Sequence, residues 1–156
     1  MRAWRRNKYN ARRTVSAILK RSFDSAGECR YAEHLYAKQQ NGEIAGLEFQ
    51  VPWACQVNGV KIGKRVMWID FRYFDKAIGL IVWDDFKGLE TRDWAVKRDI
   101  WAAGGPGVLR VTRLTKDRIK PFKSDKDIWP ANMLASYHKR GNNVSVTVEK
   151  SHEDHS

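Results

Sequence analysis

Apolar and polar positions along the chain repeat with two different periods. From Phe23 to Asn41 the stripe Glu28, Ala32, Leu35, Tyr36 and Gln39 recurs every three to four residues, which predicts a helix. Ser25 followed by Glu28 is a capping-box pattern at its start, and Gly42 suits the position just past its end. The period then shortens. Residues 47–57 read as a strand with Pro52 at an edge, and Asn58-Gly59 is a two-residue hairpin signal. The return strand runs from Val60, interrupted at Gly63, through Val66 to Phe74. A third strand covers Leu80 to Lys87, whose near-continuous apolar run predicts burial on both faces.

Thr91 is placed to cap a second helix from Arg92 to about Ala103, stopped by Gly104-Gly105-Pro106. Val108 to Thr115 alternates as a fourth strand. Beyond Lys116 the pattern weakens: a short helix over 128–140, a short strand over 144–149 and a tail over 151–156. The order of helix, three strands, helix and strand predicts an α/β sandwich around a mixed sheet. The expected division is a basic arm over 1–22, one domain over 23–150 and the tail. Trp53, Trp68, Trp83, Trp94, Trp101 and Trp129 read mostly as core.

Charge narrows the function. The net charge is +11 over 156 residues, and residues 1–22 carry eight cations with no acid. Such a cluster points to a polyanion, with Arg2, Arg5, Arg6, Lys8, Arg12 and Arg13 on phosphates and Trp4 free to stack on a base. No run of about 18 apolar residues predicts a membrane span. The basic N-terminus lacks the apolar stretch of a secretory signal. Cys29 and Cys55 are neither a disulfide framework nor a zinc spacing, so a reduced, intracellular (bacterial or host cytoplasmic) protein is expected.

Candidate chemistry sits at two strand ends. Asp85 and Lys87 are two apart and share a strand face, and Asp70 lies beside them if the strands pair. Two carboxylates and an ammonium could hold a divalent metal and polarise a water against a phosphodiester. Asp85-Phe86-Lys87 is the one acid-x-Lys in the chain. Asp84 points the other way, although a slip of one residue would exchange the two aspartates. Glu28 has a simple alternative role in the capping box.

The pieces Lys8-Tyr-Asn, Phe23-Asp-Ser-x-x-Glu28-x-x-Tyr31, Phe49-Gln-Val-Pro52, Ile69-Asp-Phe71, Asp84-Asp-Phe-Lys-Gly88 and Thr91 with Lys97 together resemble the restriction-endonuclease-like superfamily, PD-(D/E)xK. The nearest kin by this resemblance are small phage nucleases, with phage Holliday-junction resolvases and transposon-end nucleases further off. Ile69 replaces the proline of the superfamily name, and Asp85 the commoner glutamate. The resemblance implies a three-layer sandwich with a central mixed sheet flanked by helices. It implies a metal-dependent DNA endonuclease with Asp70, Asp85, the Phe86 carbonyl and Glu28 as ligands to Mg²⁺, or Mn²⁺ in its place. Lys87 would act on the attacking water, and Gln50 and Lys97 would be accessory. A structured or branched DNA substrate and a homodimer are the implied partners, with no small-molecule cofactor. The rival expectations are a non-catalytic DNA-binding accessory of the same fold and a phage factor that binds a host protein.

Overall fold

The computed structural model describes residues 12–88, 91–125 and 127–134. The chain runs β1 (Thr14–Ser16), β2 (Arg21–Phe23), α1 (Ala26–Gln40), β3 (Ile44–Val57), β4 (Val60–Asp75), β5 (Leu80–Phe86), α2 (Arg92–Gly104), β6 (Val108–Leu114) and β7 (Phe122–Ser124). The last five strands form one sheet in sequence order. All its pairings are antiparallel except β5–β6, where α2 makes the crossover that a parallel pair requires. The expected α/β architecture with a mixed sheet is therefore present.

Helix α1 starts where the capping pattern placed it: the Glu28 amide donates to the Ser25 hydroxyl at 3.1 Å. Asn58 and Gly59 both take positive φ (52° and 77°), the backbone of a type I′ turn. Gly63, also at positive φ, lies where the β3–β4 register shifts, so the interruption expected there is a bulge. Two features depart from expectation. Residues 14–23, read as part of an extended arm with a helical turn, form the β1–β2 hairpin, whose buried Ser16 donates to Glu33 of α1 at 2.7 Å. Strand β7 is too short to show a period and forms by pairing with β6. Of the helix expected over 128–140, Ile128 is instead drawn into a β-bridge with Leu109 and only 131–134 are helical among the described residues; its remainder, the strand expected over 144–149 and the tail lie outside them.

Two cores flank the sheet. Tyr31, Ala32 and Leu35 of α1 pack with Phe71, Tyr73 and Val82; Trp94 and Trp101 of α2 pack with Trp53, Met67, Ile69, Trp83 and Leu109. Each large side chain buried this way contributes about 1.5–3 kcal/mol. Val82 and Trp83 go to opposite cores, so the helices cover opposite faces of β5. The long β3–β4 ribbon serves both: its odd positions Phe49 and Phe71 join the α1 core, whereas Val51 and Ile69 join the α2 core. The ribbon twists over between them, and the change falls at Gln50 and Asp70. Trp68, expected in the core, is 54% exposed because it occupies the other face of this ribbon.

Asp84 is fully buried between α1 and the sheet. Its carboxylate accepts from Tyr31 Oη at 2.6 Å, Tyr73 Oη at 2.7 Å and Thr112 Oγ1 at 2.9 Å. Arg110, paired with Asp75 and Asp127, closes the network at its rim.

Removing one donor to a buried carboxylate costs about 1.5–3 kcal/mol, so Tyr73→Phe should lower the urea midpoint by that amount with an unchanged m value. Burial raises the Asp84 carboxyl to about 6 against the pull of its hydroxyl donors. A raised value means the folded chain binds the proton more tightly than the unfolded one. Stability from this group is thus complete below the unfolded value of about 3.9 and declines as pH rises through about 6. Asp84→Asn should flatten that decline in urea midpoints measured across the same range.

Candidate metal and phosphodiester site

The pairing of β4 with β5 runs from Asp75–Leu80 to Phe71–Asp84. Beyond it the strands part, and the Asp70 side chain enters the gap: Asp70 Oδ2 accepts from the Phe86 amide at 2.9 Å. Asp85, 3% exposed, lies on the face of β5 opposite Asp84 and within hydrogen-bonding reach of Asp70. Lys87 Nζ contacts Asp85 Oδ2 at 2.5 Å and sits 4.7 Å from the Trp94 ring centre on α2. The ring holds the ammonium by cation–π attraction while the carboxylate fixes its direction.

Gln50 stands opposite Asp70 in the β3–β4 register. Its Nε2 donates to Asp70 Oδ1 at 3.1 Å and to Glu28 Oε1 at 3.5 Å. It also holds φ at +51°, a left-handed backbone in mid-strand that no glycine relieves. Such a conformation costs on the order of 1–3 kcal/mol and persists where its surroundings enforce it. Here it lies where the ribbon changes cores and where its amide joins two carboxylates.

The carboxylates repel one another in a partly desolvated space. Burial pushes the Asp70 carboxyl well above the usual range, reinforced by Asp85 and then Glu28. Burial also raises Glu28 to about 7, with the charges of Asp24 and Asp85 adding to it and a backbone hydrogen bond from Asp24 opposing. Like charges gathered this way favour either a shared proton or a cation. Among the described residues no three His, Cys, Asp or Glu side chains form a ready-made cage for a metal ion. The donors are hard oxygens from two aspartates with Glu28 nearby, which fits Mg²⁺, an ion that takes one or two carboxylates and keeps much of its water.

Six of the residues singled out in the sequence thus meet: Glu28, Gln50, Asp70, Asp85, Phe86 and Lys87. Lys97 does not join them; it is exposed on α2, on the side of Cys55. Arg12 and Arg13 are exposed, with Arg13 3.5 Å from Asp24, while Arg2, Trp4, Arg5, Arg6 and Lys8 lie outside the described residues. The sequence reading missed the support given by Trp94. An aromatic in the first turn of the helix that follows Lys87 was the available signal.

The family model of DUF1064, described as a protein of unknown function, matches residues 6–117, and the chain belongs to that family. No curated protein and no solved structure matches it. No helix among the described residues is long and apolar enough to cross a membrane.

Replacing Gln50 separates strain from bridging. Gln50→Gly should raise the thermal midpoint relative to Gln50→Ala, since both lose the bridge and only glycine sheds about 1 kcal/mol of backbone strain. Equal midpoints would mean that position 50 carries no strain.

Proposed function

We propose that this protein is a metal-dependent endonuclease that hydrolyses phosphodiester bonds in DNA, and that its α/β sandwich is the restriction-endonuclease-like fold. The observation that carries this reading is the convergence of Asp70, Asp85 and Lys87 from two separate strands, with a strained Gln50 and Glu28 beside them. The mixed sheet between α1 and α2 and the resemblance of residues 8–100 agree with it.

In this reading Asp70, Asp85 and the Phe86 carbonyl hold Mg²⁺, with Glu28 completing the site. The ion, when bound, supplies charge to the scissile phosphate and lowers the pKa of a bound water. The protein's own work is positional. The Phe86 amide and Gln50 fix the two oxygens of Asp70. Lys87, leaning on Trp94, orients the attacking water and offsets charge that develops on phosphorus. Glu28, raised towards neutrality, can take a proton from that water. The substrate proposed is structured or branched DNA cut by a dimer, following the junction-acting enzymes it resembles.

A second reading has its own support. The short Lys87–Asp85 ion pair already neutralises one carboxylate, as a non-catalytic DNA-binding module of the same fold would require.

Labelled linear duplex, single-stranded, flap and four-way-junction DNAs, incubated with Mg²⁺, Mn²⁺ or EDTA, separate the two. The nuclease reading expects metal-dependent cleavage that falls by about 10²-fold or more in Asp70→Ala and Lys87→Ala. Binding without cleavage under every metal would leave the binding module.

Mg²⁺ should also raise the thermal midpoint of the wild type by mass action, and do so far less in Asp70→Asn. An identical Mg²⁺ response in both proteins would remove Asp70 from the metal site.

A further inference from the structure

The outer face of the β3–β4 ribbon continues the site in one direction. Along β4 up to the change of cores, the even positions Val66, Trp68 and Asp70 follow one another on this face, and Trp68, opposite Pro52, is 54% exposed. Two residues along a strand span about 7 Å, close to the spacing of successive nucleotides in an extended strand. An indole left in water here lacks the burial that Trp53, Trp83, Trp94 and Trp101 obtain in the α2 core.

Charge adds a second, independent observation. From Phe49 to Ile69 the chain contains no acid, and the ribbon beyond the β4–β5 pairing carries Lys61, Lys64 and Arg65, all exposed. A carboxylate pair alone would repel a polyanion; this ribbon brings cations and a flat ring up to it.

We infer that the β3–β4 ribbon binds a single-stranded segment of nucleic acid beside the scissile phosphate, with one unpaired base stacked on Trp68 and the backbone following Lys61, Lys64 and Arg65. This deepens the nuclease reading by naming what the site would accept, a substrate with unpaired nucleotides flanking the cut. A base paired inside a duplex cannot offer its face to Trp68, whereas an unpaired base can. The basic residues neutralise phosphates without regard to sequence.

The test is fluorescence anisotropy of labelled single-stranded, flap and blunt duplex DNA in EDTA, where cleavage plays no part. Trp68→Ala should weaken single-stranded and flap binding about tenfold or more and duplex binding far less, with Trp68→Phe restoring most of the loss. The triple variant Lys61→Ala, Lys64→Ala, Arg65→Ala should weaken every DNA and reduce the salt dependence by close to three phosphate contacts. Single-stranded binding unchanged by Trp68→Ala, or lost equally from duplex and single strand, would overturn the stacking role. Circular dichroism and thermal midpoints confirm that the variants are folded. Cleavage is read separately: selective binding with no cutting would refute the nuclease and leave the ribbon's role intact.

Discussion

Asp84 accepts hydrogen bonds from three hydroxyls in the middle of the molecule, and through them one carboxylate ties α1 to β4, β5 and β6. Thr112 extends the connection to Ser124 on β7, and Arg110 encloses it from the side of Asp75 and Asp127. A carboxylate in this position is tolerated because each oxygen has a donor, and losing a donor exposes the full cost of its burial. The network makes one strand register far better than any other. Turning Asp84 towards α1 turns Asp85 to the opposite face, where Asp70 and Lys87 are. The placement of the candidate site thus follows from a group that takes no part in its chemistry.

The site gathers groups that would rather be apart. The charges of Asp85 and Glu28 raise the proton affinity of buried Asp70, that of Asp85 raises Glu28, and Gln50 holds Asp70 and Glu28 from a strained backbone. A structural ion pair would not call for this arrangement. Lys87 and Asp85 satisfy each other directly, whereas among the described residues Asp70 meets the Phe86 amide, the Gln50 side chain and Asp85 but no cation of its own. Perturbed groups gathered unevenly in this way support the proposed site. Gly104 shows similar demands on backbone: a β-carbon there would lie 1.7 Å from the Gln56 carbonyl oxygen, so α2 reaches the ribbon only through glycine.

Much of this was open to a reader of the chain. Helix α1 and its cap, the Asn58-Gly59 turn, the bulge at Gly63, the strand carrying Asp85 and the extent of α2 follow from local rules, because turn chemistry, capping and periodicity act over a few residues. Asp70, Asp85 and Lys87 could be named together because strands joined by a short turn lie side by side along their length. The β1–β2 hairpin and β7 could not be named, since strands of three residues take their conformation from what they pack against.

The sequence by itself determined which residues could do chemistry and which local elements carry them. It could not decide between Asp84 and Asp85, because alternation gives adjacent aspartates opposite faces without saying which face is which. The hydroxyls that settle the question come from positions 31, 73 and 112, joined only when α1, β4 and β6 meet. Nor could it show that Trp68 faces water or that Gln50 faces Asp70. Both depend on the twist of a long two-stranded ribbon, which is set by the two helices packing on opposite sides of the sheet.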